Sequence, residues 1–125
     1  MKVLIDSSVW IEYFRGDGSS ATVDLLIEEN LLVTNDLILA ELIPSLTLKR
    51  QSRLVGLLKE IERLPISIEW DEIIEMQILC LRKGINGIGI PDLIIAQNVM
   101  QNPVRLLSRD RHFALMSEYL PIDVY

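Results

Sequence analysis

The stretch KVLIDSSVWIEYF (residues 2–14) decides how this chain is read. Val3, Leu4 and Ile5 form an apolar run too short for anything but a buried strand, and the pattern then switches to a helical one from Ser8 onward. Asp6 stands at the junction, at the carboxyl end of the strand. A carboxylate delivered there has two readings. It caps the helix that follows, or it holds something positive, because a buried charge is costly without a partner.

Working outward, the periodicity gives alternating elements. A helix over SVWIEYFRG ends at Gly16, a loop GDGSS follows, and Ser20 is placed to cap a helix over 21–30. LLVT (31–34) is a second strand, and Asn35 caps a helix beginning DLILAELIPSL. Pro44 predicts a kink or break in that helix, because proline removes a hydrogen bond and clashes with the preceding turn. A basic helix spans 49–64, with Leu54, Leu57, Leu58 and Ile61 on one face. PISI (65–68) is a third strand, 70–84 a helix, NGIG (86–89) a loop and 90–102 a helix with Pro91 in its first turn. VRLLS (104–108) is the fourth strand, 109–116 a short helix and PIDVY (121–125) an edge strand. Alternation of this kind predicts an α/β fold, layered around a mostly parallel central sheet. Ligands in such folds sit beyond the carboxyl ends of the strands, where Asp6 lies.

The chain has 125 residues, the size of one ordinary domain, without repeats, low-complexity segments or linkers. It has no uninterrupted apolar run long enough for a membrane span and no basic-then-apolar signal layout, so the expected location is cytoplasmic. Cys80 is the only cysteine, which excludes an internal disulfide and a cysteine zinc site. Eighteen acidic against twelve basic residues give a net charge of −6, which argues against nucleic-acid binding by a broad basic surface. It leaves open a polyanion attracted through bound divalent cations. Lys49, Arg50, Arg53, Lys59 and Arg63 form the most basic segment, read first as a solvated helix face.

Four acids are placed unlike the rest. Asp6 ends the first strand, and Asp110 follows the last one read before the C-terminal edge. Glu41 has no other charge within four residues on either side and is expected to be at least partly buried. Asp92 opens an apolar helix. Singly, Asp6 and Asp110 also read as helix caps, and Asp92 as a first-turn dipole partner. Together, four carboxylates would repel unless a cation intervened. Hard oxygen donors without a Cys/His cluster select Mg²⁺ or Mn²⁺, and one or two such ions can activate water on a phosphodiester.

At this point VLIDSSVWIEYF, LILAELI, GIPDLIIA and LLSRDRHF, in this order over essentially the whole chain, resemble the PIN-domain ribonucleases, and within them a VapC-like toxin of a toxin–antitoxin pair. The resemblance implies one PIN domain over 1–125, a three-layer α/β/α arrangement and an acidic pocket for Mg²⁺ or Mn²⁺. It implies endonucleolytic cleavage of RNA. By the same resemblance Asp6, Glu41, Asp92 and Asp110 match the acidic quartet. Asp6 and Asp92 would be direct ligands, Glu41 direct or through water, and Asp110 would hold a metal-bound water or a second ion. Ser7 and Ser108 match small polar positions flanking the site. A homodimer and a VapB-like antitoxin are the implied partners.

Rival readings fit less well. A haloacid-dehalogenase-like phosphatase needs an acid where Ser8 stands, and a receiver domain needs a lysine beyond Lys83. No G-x-S-x-G elbow is present, and His112, the only histidine, reads as a surface or capping residue. An RNA-processing PIN nuclease without an antitoxin, or an inactive PIN-like binding module, are the remaining alternatives.

Overall fold

The computed structural model describes residues 1–16 and 20–125. Its elements run β1 (Lys2–Ile5), α1 (Ser7–Arg15), α2 (Ser20–Glu28), β2 (Leu32–Val33), α3 (Asp36–Leu48), α4 (Ser52–Glu60), α5 (Trp70–Arg82), α6 (Ile90–Met100), β3 (Val104–Leu107) and α7 (Arg111–Ser117). The loop read at 17–19 and the capping role read for the Ser20 side chain lie outside the described residues.

The sheet has the order β2-β1-β3 and is parallel throughout. β1 is central, pairing Leu4 with Val33 on one side and with Leu106 on the other. That position explains its composition: Val3, Leu4 and Ile5 are all buried, as a parallel strand covered on both faces requires. Single parallel bridges, Thr34 with Arg63 and Leu106 with Val124, extend the two edges. Among the helices, α3 packs on α1 and α4, and α5 packs on α6. The arrangement is the expected three-layer α/β/α fold.

Three boundaries differ from the sequence reading, each for a physical reason. Helix α3 runs through Pro44, whose ring lies on the exposed face, away from the core that Ile38, Leu39 and Leu42 enter. The break comes instead at 49–51, where Arg50 takes a left-handed conformation with φ 56°. The basic helix read over 49–64 is shorter, Ser52–Glu60, because Ile61 turns extended and the chain enters the sheet edge. Thr34 N–H donates to Glu62 O and Leu64 N–H to Thr34 O, so the edge contact lies at 62–64.

The strand read at 65–68 does not form. Its backbone is taken up by side-chain amides of α6 and its C-cap Gln101 instead. Asn98 donates to Pro65 O at 3.0 Å and Gln101 to Ser67 O at 2.9 Å. Gln97 accepts from Glu69 N–H and donates to Glu69 O, both at 3.1 Å, and its amide also reaches Glu72 Oε1 at 2.7 Å. Gln97 and Asn98 are each 1% exposed, so their side-chain amides depend on these bonds for partners. Gln97→Ala is therefore expected to lower unfolding free energy by roughly 1–3 kcal/mol, from the loss of three hydrogen bonds that tie Glu69 and Glu72 to α6. Urea denaturation reads this; a change near zero would mean that water enters and satisfies the segment. The segment read as a C-terminal strand is reduced to the bridge at Val124, held by Leu106 N–H to Asp123 O and Tyr125 N–H to Leu106 O.

Candidate active site

The register of β1 against β3 pairs Ile5 with Leu107, so Asp6 and Ser108 leave the same edge of the sheet side by side. Asp6 occupies the N-cap position of α1 with φ −67° and ψ 154°, yet its side chain makes no cap bond. Its Oδ2 accepts from Ser8 Oγ at 2.8 Å and from Ser108 Oγ at 2.9 Å. Each hydroxyl in turn accepts from the β3–α7 turn: Ser8 Oγ from Arg109 N–H at 3.1 Å and Ser108 Oγ from Asp110 N–H at 2.9 Å. The hydroxyls thus relay backbone dipoles onto a carboxylate that is only 6% exposed. Arg109 is drawn off by Glu12, at 3.0 Å, and does not pair with Asp6.

The other acids come from three helices. Asp92 lies in the first turn of α6, where the Gly89 backbone N–H bonds its carboxylate, a capping-box geometry. Its pKa is nevertheless raised, first by partial burial, then by Asp110 and Asp6; Gly89 and His112 oppose the rise. Glu41 projects from α3, and its pKa is also raised, by loss of hydration and then by Asp6 and Asp92. Asp110 caps α7, accepting from His112 N–H at 2.9 Å. These mutual effects make the four carboxylates one electrostatic cluster.

Glu41 corrects the sequence reading in one respect. It is exposed, although its neighbours in sequence are apolar. The helical period sends Ile38, Leu39 and Leu42 into the core and turns Ala40 and Glu41 outward. It lines a groove of about 430 Å³ with Ile11, Phe14, Arg15, Ser45 and Lys49. Lys49 is thus the member of the basic segment that reaches this groove, whereas Arg63 is paired with Asp36 at 3.1 Å.

Two residues enter the site without having been singled out. Ser8, not Ser7, gives the hydroxyl that holds Asp6. The signal was present in the D-x-S spacing across a strand–helix turn, where a side chain readily bonds two residues away. His112, read as a capping or surface residue, brings its ring Nδ1 to 3.2 Å from Asp110 Oδ1. One donor atom from each of Asp92, Asp110 and His112 lies within 4.8 Å of the others.

Among the described residues, no lysine or arginine forms an ion pair with any of the four acids. Like charges gathered without a fixed counter-ion, presented as oxygen donors, fit a hard divalent cation. Asp92 and Asp110, with His112, bring donor atoms within 4.8 Å of one another; Asp6 and Glu41 act on this group through their charge and would join it in holding a cation.

Comparison with known proteins agrees with this architecture. The chain is similar in fold to a chain of the VapBC2 complex of Rickettsia felis bound to a promoter DNA fragment, with TM-score 0.76 and 19% identity, covering 100% of this chain and 98% of that one. It is similar to a chain of DNA-bound VapBC from Salmonella typhimurium, with TM-score 0.74 and 15% identity over 100% and 97% of the two chains. A chain of FitAcB from Neisseria gonorrhoeae superposes with TM-score 0.71 and 20% identity over 98% and 96%. No curated protein sequence matches the chain significantly. The family model of the PIN domain matches residues 3–119, and the chain belongs to that family.

Proposed function

We propose that the chain is a metal-dependent endoribonuclease and the toxin of a VapBC-type toxin–antitoxin pair, acting in the cytoplasm as a single PIN domain over 1–125. The observation that carries the reading is the cluster of four carboxylates at the C-terminal edge of the sheet, unpaired by lysine or arginine among the described residues. PIN domains are nucleases, and the structures similar to this fold are toxin–antitoxin complexes. No helix of the described residues is long and apolar enough to cross a membrane.

In this reading Asp6 and Asp92 bind Mg²⁺ or Mn²⁺ directly. Glu41 binds directly or through water, and Asp110 holds a bound water or a second ion. The bound cation supplies an activated water and charge stabilisation at the leaving oxygen. Ser8 and Ser108 fix Asp6 through Oδ2, which leaves Oδ1 for the ion. Ser7, at the start of α1, is placed for the substrate phosphate, where the helix N-terminus favours an anion. Arg15 and Lys49 along the groove beside Glu41 attract the RNA backbone despite the net negative charge. A homodimer and a VapB-like antitoxin are the expected partners.

The test is cleavage of a labelled RNA pool by protein freed of any co-purifying partner, with Mn²⁺, with Mg²⁺ and with chelator. Metal-dependent cleavage supports the reading. Cleavage that survives chelator defeats it, and retained metal binding without cleavage of RNA, but with cleavage of DNA, corrects the substrate.

A further inference from the structure

We propose that His112 is a nitrogen ligand for the divalent cation held by Asp92 and Asp110, so that this position of the site prefers Mn²⁺ to Mg²⁺. The inference rests on the metal-dependent reading above and goes beyond its all-carboxylate ligand set.

The placement of the ring is more specific than capping requires. Asp110 Oδ1 caps the backbone N–H of His112, which any residue at 112 would offer. The imidazole adds a second approach, Nδ1 at 3.2 Å from that same oxygen. Octahedral cations with bonds of about 2.1 Å have adjacent ligands roughly 3 Å apart. The His112–Asp110 pair therefore already has the spacing of two neighbouring ligands on one ion, and Asp92 contributes a third donor within 4.8 Å. The ring is half-buried, with 25% of the side chain exposed. Gly87, in the loop before α6, takes a left-handed φ of 79° beside the ring, and a Cβ there would be in ordinary contact with ring Cε1 at 3.8 Å.

The chemistry of the set gives the preference. An imidazole beside Asp92 and Asp110 supplies a further donor atom without the negative charge that another carboxylate would add. Mg²⁺ dehydrates reluctantly and takes oxygen ligands. First-row transition ions gain from an imidazole nitrogen, and Mn²⁺ also suits carboxylates. A histidine at 112 thus favours Mn²⁺ without excluding Mg²⁺ from the oxygen donors.

The experiment uses the full chain stripped of metal, as wild type, His112→Ala and His112→Gln, loaded with Mn²⁺. Electron spin echo envelope modulation reports nitrogen coupled to the bound ion, and titrations with Mn²⁺ and Mg²⁺ report affinity. Wild type is expected to show imidazole nitrogen modulation, lost in both variants. Their Mn²⁺ affinity is expected to fall by about 10-fold or more, with Mg²⁺ affinity nearly unchanged. Bound Mn²⁺ without nitrogen modulation in wild type overturns the proposal and leaves the carboxylate site standing. So does modulation that persists in the variants. Failure of wild type to bind Mn²⁺ at all overturns both. The wild-type spectrum decides even if one variant does not fold.

Discussion

Asp92→Asn is expected to remove the metal-dependent RNA cleavage proposed above and to raise the melting temperature of the metal-free protein. The two effects have one cause. The Asp92 carboxylate is crowded by partial burial, Asp110 and Asp6, which raise its pKa, so in the folded chain its charge is a burden until a cation arrives. Asparagine keeps the shape and an oxygen for the Gly89 N–H but not the charge. Losing several kcal/mol of metal-based stabilisation corresponds to a rate loss of about a thousandfold or more. Asp6→Asn is expected to lose cleavage equally and to move stability the other way. Its Oδ2 accepts two hydroxyls in a nearly closed site, and a neutral amide weakens both, costing roughly 1–3 kcal/mol. Cleavage assays and calorimetry in chelator measure the pair. Full activity in Asp92→Asn, or a fall in its melting temperature, would leave Asp92 as a helix cap and nothing more.

The opposite signs expected for Asp6 and Asp92 follow from features that sequence resolves unequally. The three strands of the sheet were legible because each is a short apolar run between helical patterns, and β1 announced its central place by having no polar face. Residues 65–68 were misread because their apolar alternation suits a strand. The amides that replace strand pairing, Gln97, Asn98 and Gln101, lie some thirty residues away at the C-terminal end of α6 and its cap. Periodicity does not report a side chain that bonds a distant backbone. The same blindness applies to Arg50, whose left-handed turn ends a helix without glycine.

The acids themselves stood out by local contrast, a charge amid apolar neighbours. That contrast located them along the chain but did not show that Glu41 sits on the outer side of α3, where its surface is exposed while its carboxylate still loses hydration. Ser8 and His112 were overlooked for a different reason. Each has a local partner two residues away, Asp6 for the first and Asp110 for the second, and joins the site through groups from other elements, Ser108 and Arg109 for the first and Asp92 for the second. Sequence shows the residue types that can do chemistry. The parallel register of β1 and β3 is what turns two separate turns into one hydrogen-bonded floor.

The carboxylate cluster also fixes how stability depends on pH and metal. Glu41 and Asp92 have folded-state pKa values above their ordinary values of 4.5 and 3.8. Well below pH 3.8 both groups hold protons in the folded and the unfolded chain, and their contribution to stability is fully present. As pH rises through the raised folded values, the unfolded chain gives up its protons more readily, and that contribution is lost. Metal-free protein is therefore expected to lose stability on account of these two groups as pH rises from their ordinary values through the raised folded ones. A cation that binds only the folded site reverses the loss. At 100 times its dissociation constant it adds about 2.7 kcal/mol, which for a chain of this length is roughly 10 °C in melting temperature. At pH 4 protons compete for the same oxygens, so the metal-induced shift shrinks. Calorimetry at pH 4, 5.5 and 7, with and without Mn²⁺, measures this. The double variant Glu41→Gln/Asp92→Asn is the reference that removes the contribution of other acids. A metal-induced shift as large at pH 4 as at pH 7, or as large in the double variant as in wild type, would place the ion somewhere other than among these carboxylates.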